Sequence, residues 1–309
     1  MYNYMDWFAW VWIIACILIL ISNFKTTKSQ KIGFCMLLTN DFPTQHIWDR
    51  YLQKNPECQL VIHGKKDLKI DPECSEIRKR AFIIPDPIET SWGSLSIVKA
   101  QNICIRKLLE DRNIHRIFTV SGNCIPLHTE DELIRRTIDN QSIFTEFNVP
   151  DRLTSVKENV TSVCKIDTDA FKLHSQWCVL TRDHARILVD KEGEYARCFE
   201  NVGSGVSDET VYLTTLRQNG FKNIKIVPCL KGDDDVHGTT FCHWKNIAYK
   251  FKSEKDSEIP DSSPKMYKDI SLDEFNHIMN GEYLFARKFT DDTQIEQQRL
   301  CDYLYKSEK

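Results

Sequence analysis

The chain runs to 309 residues, 41% hydrophobic and 28% charged, with a formal net charge of -3. That is the composition of a folded globular protein long enough to build one large core. The near-neutral balance argues against a strongly basic nucleic-acid binder, and the lack of any short-period repeat argues against a solenoid.

Residues 7–21 form an uninterrupted apolar run, extended by Ser22, Asn23 and Phe24 before Lys25. The run approaches the roughly 17–25 residues a spanning helix needs, and Trp7, Trp10 and Trp12 suit a membrane interface. It lacks the basic n-region and small-x-small cleavage site of a signal peptide. Residues 1–24 are therefore expected to be an uncleaved single-pass anchor, followed by a short stalk at 25–30. Asp6 before the run and Lys25, Lys28 and Lys31 after it would keep the body cytosolic by the positive-inside rule. The twelve cysteines, with no C-x-x-C pair, lean instead towards a secretory lumen. Two sequons, at Asn140 and Asn159, would matter only there. Orientation stays open between these signals.

Beyond the stalk, residues 31–39 read as an apolar strand closed by Asn40-Asp41-Phe42-Pro43. A helix is expected over 46–53, with Ile47, Trp48, Tyr51 and Leu52 on one side. Residues 59–63 read as a second strand, and 82–84 as a short element closed by Pro85 and Pro87. The strongest helical pattern is 94–112, with Leu95, Val98, Ile103 and Leu108 apolar. A strand at 116–120 follows and runs into Ser121-Gly-Asn-Cys-Ile-Pro126. This alternation predicts an α/β domain with a largely parallel sheet. Ligands of such sheets bind beyond the carboxyl ends of the strands, which puts 39–42, 63–65 and 121–124 on one rim.

In the second half, 143–147, 176–181, 224–228 and 240–244 read as strands, and 183–190 as a helix. A further helix is expected over 208–217, with Ser207 as N-cap and Asp208 and Glu209 in its first turn. Residues 252–264 are a polar, exposed loop. Asp233-Asp234-Asp235 reads as a solvated acidic loop rather than a hard-cation site. Near the end, Leu284-Phe-Ala-Arg-Lys-Phe289 sets two adjacent cations between apolar residues in a half-buried strand. Either both side chains snorkel into water or an anion such as a diphosphate meets them.

Several segments in order carry a resemblance: Lys31-Ile-Gly-Phe-Cys-Met-Leu-Leu-Thr39, Trp92-Gly-Ser-Leu-Ser-Ile-Val-Lys-Ala100, Ser121-Gly-Asn-Cys-Ile-Pro-Leu127 and His174-Ser-Gln-Trp177. The set continues with Ser207-Asp-Glu209, Thr240-Phe-Cys-His-Trp244 and the Arg287-Lys288 segment. From about residue 31 to 289 the chain resembles the core-2/I-branching β-1,6-N-acetylglucosaminyltransferase family. The resemblance implies a GT-A-like single domain at 31–289, with a nucleotide-sugar half at 31–127 and an acceptor and diphosphate half at 128–289. A C-terminal tail at 290–309 remains. It also implies a UDP-sugar donor, a glycan or glycoprotein acceptor, inversion at the anomeric carbon, no divalent metal, and a type II anchor in the Golgi or endoplasmic reticulum.

Site residues follow by resemblance. Glu209 matches the catalytic base, with Asp208 as its orienting neighbour. Lys288 matches the lysine on the diphosphate, Lys265 falls where a second cation stands, and Arg287 is placed to contribute. Glu146 resembles an acceptor-side position, Trp177 and Trp244 are candidates to stack on sugar faces as aromatics do in carbohydrate sites, and Thr39, His63 and Trp92 are rim candidates for the donor nucleotide. The chemistry is consistent, because a one-step displacement needs a carboxylate for the acceptor proton and positive charge for the leaving diphosphate. Where many transferases place a metal-binding Asp-x-Asp, this strand end offers Ser121-Gly-Asn-Cys and no carboxylate. Read from the residues alone, Glu209 is a charge complementing a helix dipole, Lys265 a solvated loop lysine, and Trp177 core. Xylosyl or glucuronosyl transfer, and a carbohydrate-binding protein without turnover, remain alternatives.

Overall fold

The fold is that of a computed structural model, which describes residues 12, 30–39, 41–200, 206–228, 238–245, 250–251, 259–260 and 263–290. Apart from Trp12, Gln30 and Thr290, the expected anchor, stalk and tail lie outside the described residues, as does Asp233-Asp234-Asp235. Among the described residues no helix is long and apolar enough to cross a membrane.

The first half alternates as its sequence predicts. It runs β1 (Lys31–Leu37), α1 (Gln45–Lys54), β2 (Gln59–His63), α2 (Ser75–Arg80), β3 (Phe82–Ile83), α3 (Leu95–Leu109) and β4 (Ile114–Ser121). Strands β3, β2, β1 and β4 lie side by side in that order, all parallel. β1 shows why so apolar a stretch is needed there, since its side chains alternate between two buried faces. Ile32, Phe34 and Met36 pack on Trp48 and Tyr51 of α1, whereas Cys35 meets Val98 and Leu108 of α3. Gly33 also faces α3, and a Cβ built there would stand 2.7 Å from Leu108 Cδ2, so the helix lies close against the strand. The side chain of Ser94 caps α3 by accepting from Ser96 N.

The second half is mixed. It contains β5 (Ile125–Pro126), α4 (Glu130–Arg136), β6 (Ser142–Phe147), α5 (Thr154–Cys164), β7 (Leu173–His174), β8 (Val179–Thr181), α6 (Arg182–Asp190) and α7 (Glu192–Phe199). It continues with α8 (Val211–Gln218), β9 (Ile224–Pro228), β10 (Thr240–Cys242), α9 (Leu272–Met279) and β11 (Phe285–Arg287). β8 joins β4 antiparallel, β6 joins β8 antiparallel, and β7 lies outside it, while β9 pairs with β6 in parallel. The result is an α/β fold with a mostly parallel central sheet. α3, α6, α7 and α8 cover one face, and α1 and α2 the other. A disulfide between Cys164 and Cys198 ties α5 to α7.

β10, β11 and β5 form a separate small sheet, with β10 parallel and β5 antiparallel to β11. Phe285 of β11 is driven into the main core, its ring 5.7 Å from that of Phe118 on β4 and 6.1 Å from that of Phe34 on β1. Burying such a ring contributes about 2–3 kcal/mol and fixes where the following residues stand. Those residues are Arg287 and Lys288.

The expected helix over 208–217 with Ser207 as its N-cap is corrected. Residues Ser207–Glu209 form a 3-10 turn, α8 begins only at Val211, and the Ser207 side chain makes no cap bond. The turn is held from outside by a bond from Ser207 N to Gly93 O at 2.9 Å. A bond to a residue so distant in sequence leaves no mark in a local pattern.

Candidate active site

Topology brings the predicted residues to one rim of the sheet. β1, β2, β3 and β4 are parallel and all end there. β6 opposes β8, which opposes β4, so β6 ends on the same rim and the segment leading into β8 starts on it. α3 leaves that rim after β3, which puts Trp92 and Gly93 there. The bond from Ser207 to Gly93 carries the Ser207–Glu209 turn to the same edge.

The cations are assembled by backbone pairing. Phe289 N donates to Asn123 O at 3.0 Å, and the Asn123 amide donates back to Phe289 O at 3.3 Å. The loop that ends β4, where a metal-binding carboxylate would otherwise stand, is thus bonded to the residue after Lys288. On the other side Lys288 N donates to Lys265 O at 3.4 Å, Tyr267 N donates to Lys288 O at 2.7 Å, and Tyr267 and Phe289 form a parallel bridge. Lys265, Arg287 and Lys288 therefore come together at the carboxyl end of β4. Their support is aromatic: Tyr267 and Phe289 stack at 5.3 Å, Lys265 Nζ lies 5.1 Å from the Tyr267 ring centre, and the Arg287 guanidinium sits 4.6 Å from that of Trp177.

This cluster is built at an electrostatic cost. Lys288 is half-buried, and burial first, then the neighbouring Arg287, holds its ammonium below the usual lysine range. Its Nζ donates to Ser263 Oγ at 2.8 Å. The Nε of Arg287 is buried with no hydrogen-bond partner. Crowded, partly desolvated cations of this kind favour an anion that supplies several oxygens. Among the described residues, no three His, Cys, Asp or Glu side chains gather as a metal ion would require.

The carboxylates stand on the 3-10 turn. Glu209 N donates to Val206 O and Thr210 N to Ser207 O, so the turn is closed by its own backbone. Asp208 Oδ1 is buried with no hydrogen-bond partner, and burial pushes its carboxyl up to about 6. Both carboxylates are half-buried, with Asp208 the enclosed neighbour.

The remaining candidates divide. Thr39 is exposed just beyond β1, and Trp92 is 82% exposed beside Gly93, so both offer open surface on the rim. His63 does not. It is buried, burial holds its imidazole below the usual range, and its Nε2 accepts from Ile88 N at 3.1 Å. The ring holds the loop after β3, and the expectation that it faces a nucleotide directly is amended accordingly. Glu146, near the end of β6, is half-buried and paired with Lys172 Nζ at 3.2 Å. Trp177 is buried under the Arg287 guanidinium, which leaves core packing and cation support as its visible roles. Trp244 is 39% exposed, next to His243, whose carbonyl holds Lys265 N at 2.7 Å. Asn123, Ser263 and Gly93 were not anticipated as parts of this constellation. Asn123 lies within a segment the sequence singles out for the carboxylate it lacks, which was the signal available for it.

Comparison with known proteins identifies the family of the chain. The family model described as Core-2/I-Branching enzyme matches residues 32–279. A rice (Oryza sativa subsp. japonica) protein, Glycosyltransferase BC10, is 20% identical over 169 residues, covering 53% of this chain and 41% of its own. The chain thus spans about two fifths of the length of that relative. Mouse xyloside xylosyltransferase 1, solved in its apo form, aligns with a TM-score of 0.35 at 10% identity, covering 64% of this chain and 86% of the other. On the family match, which takes in both the strand-end loop at 121–124 and the Ser207–Glu209 turn, the chain belongs to the core-2/I-branching enzyme family.

Proposed function

We propose that the protein is an inverting glycosyltransferase that needs no divalent metal and moves N-acetylglucosamine from a UDP-sugar to a glycan hydroxyl in β-1,6 linkage. The observation that supports this reading best is the union of Lys265, Arg287 and Lys288 with the carboxylate-free loop at the end of β4. In the reaction, the acceptor oxygen attacks the anomeric carbon from the face opposite the diphosphate. The bond from that carbon to the diphosphate oxygen breaks, and Glu209 takes the proton the acceptor sheds. Negative charge growing on the diphosphate is met by Lys288 and Lys265, with Arg287 beside them. Asp208 orients the turn, Thr39 and Trp92 border the nucleotide, and Glu146 and Trp244 border the acceptor.

Xylosyl or glucuronosyl transfer needs the same machinery and differs only in contacts around the sugar ring. An N-terminal anchor in the secretory pathway, with the catalytic body in the lumen, fits the Cys164–Cys198 disulfide. The test is UDP release from a panel of UDP-sugars with a glycan acceptor, with and without EDTA. Transfer undiminished by EDTA supports the proposal. Donor binding without release would favour a carbohydrate-binding protein that has lost turnover.

A further inference from the structure

His174 sits on β7 with no exposed surface, wedged edge-on against Phe144 at 5.1 Å between ring centres. Its Nδ1 lies 2.8 Å from Ser175 O, and its Nε2 lies 3.4 Å from the backbone nitrogen of Leu213. One tautomer satisfies both contacts: the proton on Nδ1 is donated to Ser175 O, and Nε2 accepts from Leu213 N–H.

Leu213 is the third residue of α8, whose first-turn amides have no partner within the helix. The usual remedy is a side-chain oxygen at the N-cap. Thr210 occupies that position but makes no cap bond, its hydroxyl being turned back to donate to Val206 O at 2.8 Å. An imidazole from a different strand supplies the acceptor instead. Burial pushes the His174 imidazole down to about 4, so it stays a neutral acceptor through the ordinary working range.

Glu209 immediately precedes Thr210, and the stretch from its turn into α8 is fastened at two further points. Ser207 N is bonded to Gly93 O at 2.9 Å, and Tyr212 OH donates to Asn102 Oδ1 on α3 at 2.7 Å. The first tie fixes the turn to the loop before α3, the second fixes the start of α8 to α3 itself, and His174 fixes that start against β7.

We propose that His174 is a positioning residue for the reaction: by capping α8 from β7 it sets where the Glu209 carboxylate stands against the acceptor hydroxyl. This rests on the reading of Glu209 as the base. Loss of the cap lets the first turn of α8 shift, and sub-ångström to ångström displacement of a reacting group costs up to roughly 100-fold in rate.

The experiment compares kcat, UDP dissociation constant and thermal unfolding for the full chain, His174→Phe, His174→Gln and Glu209→Gln. Phenylalanine keeps the ring and its packing on Phe144 but removes the acceptor. Glutamine can return an oxygen to the place of Nε2. The expected result is a ~10–100-fold fall in kcat for His174→Phe with UDP affinity within about twofold of the parent, and substantial recovery in His174→Gln. The proposal is overturned if His174→Phe keeps its kcat, if it loses kcat and UDP affinity in equal measure, or if His174→Gln is no better. If His174→Phe is recovered unfolded, His174→Asn, whose amide is too short to reach Leu213 N, takes its place: a reduced kcat with unchanged UDP affinity beside a near-parent kcat in His174→Gln supports the proposal, and a parent-like kcat in His174→Asn overturns it. Full activity in Glu209→Gln would remove the base assignment itself, a separate failure.

Discussion

Replacing Glu209 with glutamine keeps the side chain's length and one acceptor oxygen but removes the group proposed to take the acceptor proton. General bases of this kind contribute roughly 100- to 10,000-fold, or about 3–5 kcal/mol of barrier. Asp208 next door is the other carboxylate of the turn. Its Oδ1 is enclosed without a partner and burial pushes the carboxyl to about 6, so it is ionised at pH 7 yet held away from solvent. The loss in Glu209→Gln is therefore expected to be at least ~100-fold in kcat at pH 7. UDP affinity should stay within twofold, because the cations proposed to hold the diphosphate belong to a different segment. The assay pairs UDP release in the presence of acceptor with calorimetric titration of UDP, and a thermal scan establishes that the variant is folded. A loss below tenfold, or a parallel loss of UDP affinity, would refute the assignment.

Three other outcomes follow from the same structure. Lys288 carries its charge less readily than a free lysine, and a bound diphosphate favours the charged form, so UDP affinity should be greatest at neutral pH and fall as pH rises through the lowered lysine pKa. Titrations of UDP from pH 7 to 10 would show this, and Lys288→Met should abolish the slope. Glu130, in the first turn of α4, is raised from 4.5 to about 7, chiefly by burial and then by Asp131 and Glu57. Its protonated form is the one the fold prefers, so its penalty is absent below about pH 4.5 and complete above pH 7; Glu130→Gln should leave stability unchanged at the lower pH and raise it by up to about 3 kcal/mol at pH 8.5 in denaturant titrations. Replacing Cys164 and Cys198 with serine opens a loop of sequence separation 34 and should cost ~4 kcal/mol of folding stability, against no effect of reductant on the variant's unfolding curve.

The sheet was legible where burial is two-sided or alternation strict. Residues 31–37, 59–63 and 114–121 are strands because both of their faces are covered, which forces continuous apolar sequence. The Arg287-Lys288 segment was legible because charge between buried neighbours is rare. Helices α4 and α9 announced themselves by Thr129-x-x-Glu132 and Ser271-x-x-Glu274, whose hydroxyls do accept from the amides three residues on, but their short apolar patterns were not read. α5 offered less, since Val160 is its one buried side chain among those described and β-branched residues weaken its pattern. The site's ties were out of reach in principle. Ser207 to Gly93, Asn123 to Phe289, His63 to Ile88 and His174 to Leu213 join distant segments through backbone groups that every residue carries.

The most direct test is calorimetric titration of UDP into the protein in excess EDTA, repeated with added Mg²⁺ or Mn²⁺ and then with Lys288→Met. If side-chain cations hold the diphosphate, affinity in EDTA equals affinity with metal, and Lys288→Met weakens it by ~10–100-fold, the worth of a charge-assisted bond, with no rescue by either ion. Binding that vanishes in EDTA, or a Lys288→Met protein that binds UDP as the parent does, would contradict the account.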